Sequence, residues 1–406
     1  MKKIKVAFFA DILTENLDGA VRTMYQLISR IDTTVFDYLF IYGAGPDTIN
    51  TFDTFRVPFI KLPVNKGYSL ATPGVASSKL KEKLQYFAPD IVHIATPAFL
   101  GNFALQYANK TGLPVISIYH THFISYVDYY LKYLPFFIKP VKRGISTGHK
   151  KFYNRCTKVY VPSTSIKAEL AGMGVSSTKM QIWKRGVDTT LFNPLNRDKR
   201  VLERLTGNTH PTIIFASRLV WEKNLETLIE IYNQVQTQNL PVNFLITGDG
   251  SARKACEARM KKAVFTGRVD HHYLASLYAS ADVFLFPSVS ETYGNVVVEA
   301  MASGLPCVVA DGGGSKDFID HGVNGFKCSP YNAADYIEKI TAIINNRTLA
   351  HQFITAGLKY TQQLSWDTLA DTYFEDVKSL VPINLQLQAK AKYTATLPLS
   401  ALRQSG

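Results

Sequence analysis

Cysteine is scarce in this chain. Its 406 residues hold Cys156, Cys256, Cys307 and Cys328, far apart and with no Cys-x-x-Cys pair. That spacing excludes a disulfide framework and a zinc site of ordinary pattern, and the four read as buried free thiols of a reducing compartment. Long apolar runs are also lacking, and none approaches the ~20 residues that span a bilayer. The basic N-terminus runs into an apolar stretch of only Ile4 to Ala10 with no small-residue cleavage site after it. A first β-strand is expected there, not a secretory signal. Residues 9–21 hold the single glycine Gly19, so there is no Gly-x-Gly-x-x-Gly turn, and no Gly-x4-Gly-Lys-Ser/Thr loop occurs anywhere. Dinucleotide dehydrogenases and P-loop nucleotidases are therefore excluded. No Asp-x-Asp pair exists, and the sequence offers no metal site.

Acidic residues are thin in one region. The net charge is +13, and residues 1–200 carry 27 Lys+Arg against 13 Asp+Glu, leaving 18 against 19 for the remainder. The excess peaks in residues 101–200, at 16 against 4. A one-sided basic field points to an anionic membrane, a nucleic acid or an anionic substrate.

What is present is a β–α rhythm. Hydrophobic residues make up 46% of the chain, enough for sizeable cores, and the length suits two domains. Strands are expected at Ile4–Ala10, Tyr38–Tyr42, Ile91–Ala95, Pro114–Tyr119 and Lys158–Val161, with helices at Val21–Ile31, Lys79–Phe87 and Ala98–Lys110. Residues 64–77, rich in Gly, Pro, Ser and Ala, read as a mobile loop, and 189–211 as a polar connection. The rhythm resumes with strands at Thr212–Ala216, Asn243–Thr247, Ala263–Thr266, Val283–Phe286, Pro306–Ala310 and Gly325–Lys327. A final helix spans Trp366–Leu380, and the tail from Val381 has no pattern. The fold class is thus α/β, two Rossmann-like doubly wound domains facing across a cleft, with ligands at the carboxyl ends of the strands. The expected domains are 1–195 and 200–362, with helix 365–380 packing back on the first and 381–406 loose.

Several strand ends carry chemistry. After Thr212–Ala216 come Arg218 and Lys223, which read either as solvated cations or as partners of a diphosphate. After Val283–Phe286, Gly294 allows a tight turn into a short helix from Asn295 and Val296, whose free N–H groups suit an anion. Glu291 precedes that helix and Glu299 lies inside it among apolar neighbours. Each reads either as an ordinary helix charge or as an acceptor for sugar hydroxyls. Gly248, in Thr247-Gly248-Asp249-Gly250, and Val269, in Thr266-Gly267-Arg268-Val269, follow strands too, and each is weak evidence alone.

Taken in order, Arg-x4-Lys, Gly-Asp-Gly, Thr-Gly-Arg-Val, Phe-Pro-Ser, Glu-x7-Glu and Ala-Ser-Gly-Leu-Pro resemble the retaining GT-B glycosyltransferases of family 4. The resemblance implies that Arg218 and Lys223 neutralise the donor diphosphate, that Glu291 holds the transferred sugar and that Glu299 holds the ribose. It implies that Gly248, Val269, Gly294, Asn295 and Val296 line the donor site. Gly19 stands where the family's first loop approaches the diphosphate, although the family usually has two glycines there. The family's functional histidine follows the strand Pro114–Tyr119, which points to His120 and less to His122. The implied donor is a nucleotide sugar, UDP-linked first and GDP-mannose second, and no metal or other cofactor is required.

Pro89–Pro97, Tyr119–His122 and Trp183–Pro194 look like the lipid-glycosylating branch of that family, which includes sulfoquinovosyl-diacylglycerol synthases and lipid mannosyltransferases. Residues 123–155 interleave aromatics with cations, among them Tyr126, Lys139, Lys142 and Arg143. This suits a peripheral contact with an anionic membrane, on the cytoplasmic face; the alternative is a core aromatic face with solvated cations behind it, and the one-sided charge favours the membrane. The expected activity is transfer of a hexose to a lipid acceptor such as diacylglycerol or a ceramide, forming an α-glycoside. A transferase for soluble or polysaccharide-precursor acceptors, or a sugar-nucleotide epimerase on the same fold, is the alternative. A nucleic-acid binder lacks any recognised motif, and no nucleic-acid partner is expected.

Overall fold

A computed structural model describes residues 3–381 apart from 16–18, 62–68, 75, 121–123, 125, 126, 128–130 and 132–134. His122, Tyr126 and the tail 382–406 lie outside the described residues. The first sheet is built from β1 (Ile4–Ile12), β2 (Phe36–Ala44), β3 (Asp53–Arg56), β6 (Ile91–Ile94), β7 (Val115–Ile118), β8 (Lys158–Val161) and β9 (Met180–Ile182). All its pairings are parallel, in the order β3-β2-β1-β6-β7-β8-β9. A separate antiparallel pair joins β4 (Phe59–Lys61) to β5 (Ser69–Ala71). The second sheet comprises β10 (Thr212–Ala216), β11 (Asn243–Thr247), β12 (Val264–Gly267), β13 (Val283–Phe286), β14 (Cys307–Ala310) and β15 (Gly325–Cys328). It is also parallel, in the order β12-β11-β10-β13-β14-β15.

Parallel strands covered on both faces read as unbroken apolar runs, and β10 (TIIFA), β13 (VFLF) and β14 (CVVA) are buried at every position. In β1 the side chains alternate between two cores: Val6, Phe8 and Ala10 on one face, Ala7 and Phe9 on the other. The helix Trp366–Leu380 packs Trp366, Ala370, Tyr373, Phe374 and Val377 onto the first of those faces. Buried His93 and the Tyr373 hydroxyl hold it there at 2.8 Å, and Trp183 Nε1 donates to Leu369 O at 2.9 Å. The chain thus crosses between the sheets twice, and the crossings touch where Val187 N donates to Leu364 O at 3.0 Å.

Two expectations need correction. Residues 69–71 are a strand and a helix begins at Ser77, so 64–77 is not one loop. The Ala71 N–H donates to buried Asp11 at 2.9 Å, and a Cβ built on Gly43 would stand 3.0 Å from Ala71 Cβ. The small residues there serve close packing. The connection 189–211 contains the helix Lys199–Thr206, capped by the Asp198 side chain, ended by Gly207 and anchored by buried Leu202. Helices Pro135–Tyr153, Thr164–Gly172 and Arg347–Thr361, and strands β3 and β9, were not expected. All four cysteines are free and buried. Among the described residues no helix is long and apolar enough to cross a membrane.

Candidate active site

Strand order reverses between β1 and β6 and again between β10 and β13. Loops part at such a switch point and leave a crevice beyond the carboxyl ends of the strands. In the second domain the crevice is bounded by residues after β10, which bring Arg218 and Lys223, and after β13, which bring Glu291 to Val296. In the first domain Gly19 follows β1 and His120 follows β7. These residues line one interdomain cavity of about 650 Å³, together with Gly248 and Val269.

Local chemistry holds each in place. At Gly248, with φ 128°, a Cβ would overlap the Ser217 carbonyl oxygen, so the Gly-Asp-Gly loop lies directly on the segment bearing Arg218. Leu219 N donates to Asp249 O at 2.9 Å and locks that contact. Asn224 donates to the carbonyls of Pro287 and Pro330, at 3.0 and 2.8 Å, and so ties the β10 loop to the β13 loop. Gly294, with φ 88°, precedes the helix Asn295–Ala302, which has no side-chain cap. The helix start opens into the cavity, and its N–H groups and dipole favour an anion there. Buried Asn295 Oδ1 has no partner among the described residues.

Two groups assigned to different parts of a donor touch each other. The Lys223 ammonium donates to the Glu291 carboxylate, which also accepts from Ser288 Oγ at 3.2 Å. The Lys223 side chain is 6% exposed and that of Glu291 17%. Glu299 sits one step away, in an adjoining cavity of about 220 Å³ beside the domain crossings. Arg22, from the first domain's helix Gly19–Ile28, stands between the two cavities, with Nη1 2.6 Å from His271 Nε2 and 3.5 Å from Glu299 Oε1.

His120 is buried, and neither ring nitrogen has a partner among the described residues. Burial and the neighbouring Arg185 guanidinium hold its pKa well below the ordinary 6.5, so the ring is neutral. Arg185 donates to His120 O at 3.2 Å and lies over the Tyr293 ring at 5.4 Å, while the Tyr293 hydroxyl donates to Arg185 O at 2.7 Å. Sequence reading missed Arg22, Arg185 and His271. Arg22 falls one turn after Gly19, and Arg185 lies within the Trp183–Pro194 stretch, so both had a positional signal.

Lys139, Lys142 and Arg143 are not part of this cleft. They lie on the helix Pro135–Tyr153, near exposed Phe136 and Phe137. Among the described residues no group of three His, Cys, Asp or Glu could hold a metal ion.

Residues 17–191 match the family described as Glycosyltransferase Family 4, and residues 198–360 match Glycosyl transferases group 1. Sulfoquinovosyl transferase SQD2 of Arabidopsis thaliana is 31% identical over 71% of this chain, which spans only 56% of SQD2's length. A GDP-mannose-dependent alpha-mannosyltransferase of Corynebacterium glutamicum is 25% identical across the whole chain and 97% of its own length. Alpha-monoglucosyldiacylglycerol synthase of Streptococcus pneumoniae is 24% identical over 76% of this chain and 71% of its own. In fold, the chain is similar to Anabaena HepE in complex with UDP and glucose, with a TM-score of 0.70 at 18% identity, over 93% of this chain and all of that one.

Proposed function

The chain belongs to the GT-B glycosyltransferases of family 4, and from that membership we propose that it moves a hexose from a nucleotide sugar to a membrane lipid with retention at the anomeric carbon. One observation carries the reading. Two cations, Arg218 and Lys223, and the uncapped start of the helix Asn295–Ala302 converge on a single cavity that a neutral histidine enters from the opposite domain. Breaking the anomeric C–O bond leaves negative charge on the diphosphate and positive charge on the sugar ring. Preorganised cations and helix N–H groups stabilise the first, so the reaction requires no metal. Glu291 accepts from hydroxyls of the transferred sugar, and Glu299 from the ribose once it exchanges Arg22 for those hydroxyls. The acceptor oxygen attacks the anomeric carbon on the face the phosphate leaves, and its proton passes to the departing phosphate oxygen.

The lipid acceptor is supported by the diacylglycerol-glycosylating relative and by the exposed Phe136 and Phe137 beside Lys139, Lys142 and Arg143. Such a face seats rings at the headgroup level and cations on anionic lipid, a peripheral attachment on the cytoplasmic side. UDP is the first-choice nucleotide of the donor. The full-length similarity to a mannosyltransferase keeps GDP-mannose as the second. The test is nucleoside diphosphate release from UDP-hexoses and GDP-mannose, with and without diacylglycerol vesicles and with EDTA. The expected result is lipid-stimulated release from one donor, unaffected by chelation, and an α-linked glycolipid by NMR. Failure to release nucleotide from any donor would overturn the assignment.

A further inference from the structure

A second cavity lies outside the cleft. The helix Phe99–Thr111 follows β6, and the helix Pro135–Tyr153 leads back toward β8; between them runs a groove of about 550 Å³. Thr96 to Ala98 close one part of it, half-buried Ile145 gives an apolar wall over the core residues Leu105 and Phe152, and Lys151 and Arg155 stand on it with long stems. Its size falls within the ~300–1,000 Å³ of small-molecule sites.

One exposed glycine, Gly148, lines the groove. Gly144 lies one turn earlier, and both are inside a helix, where glycine is weaker than alanine. A Cβ built on either meets no heavy atom of the described residues within 4 Å. Packing within the protein therefore does not require glycine at these positions. Backbone left bare beside a groove suits the close approach of something else.

The groove and the cleft lie at the same, carboxyl-terminal end of the first sheet. Thr96 follows β6 on the same sheet edge as His120, which follows β7. His149, on the groove, packs edge-on against Tyr119 at 5.7 Å between ring centres, and Tyr119 precedes His120. Near the first turns of the two helices Phe99, Phe136 and Phe137 are 63%, 91% and 59% exposed. The helix Pro135–Tyr153 carries Lys139, Lys142, Arg143, Lys150 and Lys151 and no acidic residue, complementary to an anionic lipid surface.

We propose that this groove takes one acyl chain of the acceptor lipid, drawing it from the bilayer so that its hydroxyl end reaches His120 in the cleft. The proposal rests on the lipid-acceptor reading above and adds the site that grips the chain. It makes chain length, and not only headgroup, a determinant of the acceptor.

The test is a size series at position 148. Gly148→Ala adds one methyl and leaves most of the groove, whereas Gly148→Leu projects an isobutyl group into part of it from a position where a Cβ meets no heavy atom of the described residues within 4 Å. Each is assayed in detergent micelles with dipalmitoylglycerol and with dioctanoylglycerol, alongside acceptor-independent hydrolysis of the donor. The wild type is expected to favour the longer chains. Gly148→Leu should raise KM for dipalmitoylglycerol about tenfold, equivalent to losing roughly two buried methylenes. It should leave dioctanoylglycerol transfer and donor hydrolysis near wild type, and Gly148→Ala should match the wild type throughout. If lipid is glycosylated and Gly148→Leu keeps the wild-type chain preference, the groove proposal alone falls. It also falls if that substitution changes only the oligomeric state in light scattering, which would make the groove a contact with a second copy. If no diacylglycerol is glycosylated by the wild type, the lipid-acceptor reading falls and takes the groove with it.

Discussion

Lys223 and Glu291 form the contact on which the donor reading depends most, and removing the cation separates structure from catalysis. Losing one partner of a buried pair costs about 3–5 kcal/mol. Here Glu291 reaches the cleft, with a side chain 17% exposed, and retains the Ser288 hydroxyl at 3.2 Å. The stability loss for Lys223→Met should therefore fall to about 2–3 kcal/mol. The catalytic loss is of a different kind: a preorganised charge facing a leaving diphosphate is worth roughly 10²–10³ in kcat. The double variant Lys223→Met/Glu291→Gln removes both charges, and replacing a buried ion pair with neutral groups is often close to neutral for stability. Urea unfolding should show the double variant recovering most of the stability lost by the single one. Nucleoside diphosphate release should show no recovery of turnover. If the double variant regains both, the pair is a structural strut and the assignment of Lys223 to the diphosphate is wrong. Near-wild-type turnover in Lys223→Met would refute it outright.

Other perturbations test the surrounding parts. Gly294→Ala places a Cβ 2.7 Å from Ser315 Cβ at φ 88° and should cost about 1–3 kcal/mol in thermal unfolding while abolishing donor turnover; an active, equally stable variant would show that the turn adapts. Burial holds His93 at about 3 and His120 well below 6.5, so both are neutral when folded and take up a proton when unfolded. Their contribution is whole above pH 6.5, and each loses up to about 1.4 kcal/mol per pH unit as pH falls below it. Asp11, raised by burial from 3.8 to about 6, acts in the opposite sense: its contribution is whole below 3.8 and lost as pH rises through 6. The two histidines outweigh one carboxyl, so the urea midpoint should fall between pH 6.5 and 4, and a flat profile would contradict the neutral-histidine assignment. Replacing Phe136 and Phe137 by Ser should weaken sedimentation with anionic liposomes, and Lys139, Lys142 and Arg143 to Ala should flatten its salt dependence; unchanged binding would move the membrane face elsewhere.

The central strands were legible because burial on both faces leaves unbroken apolar runs, as in β10 and β13. Elements at the margins were not. β3 has no buried residue, and β9 is a three-residue edge strand, so neither shows a buried run. The helix Pro135–Tyr153 was hidden by Pro140, Gly144 and Gly148, residues that ordinarily interrupt a helix. In the connection, Asp198 and Gly207 are ordinary helix start and stop signals, but one buried leucine gave too faint a period to join them. In the site, ordered motifs led to Arg218, Glu291 and the Gly294 turn, because each depends on a local strand-end pattern. The pairing of Lys223 with Glu291, 68 residues apart, depends on how two loops meet at a switch point. Arg22 and Arg185 were passed over because an arginine in sequence looks like any solvated cation.

Those two arginines change how the cleft is understood. Several of the contacts that join the domains around it are made by groups that line it. A Cβ on Gly19 would stand 3.0 Å from Asn295 Nδ2, Arg185 binds the backbone of His120 and faces Tyr293, and Arg22 reaches His271 and Glu299. Glu299, with a side chain only 8% exposed, has the Arg22 guanidinium 3.5 Å from its carboxylate. A ribose that binds Glu299 must therefore compete with Arg22, and a diphosphate that binds Lys223 must compete with Glu291. Donor binding in such a site exchanges one set of charge-assisted contacts for another, so its net affinity is smaller than the number of charged groups suggests. The same exchange couples the site to domain geometry. Arg22 belongs to one domain and Glu299 to the other, so whatever takes Glu299 from Arg22 also removes a tie between the sheets, and the cleft's opening is linked to its occupancy.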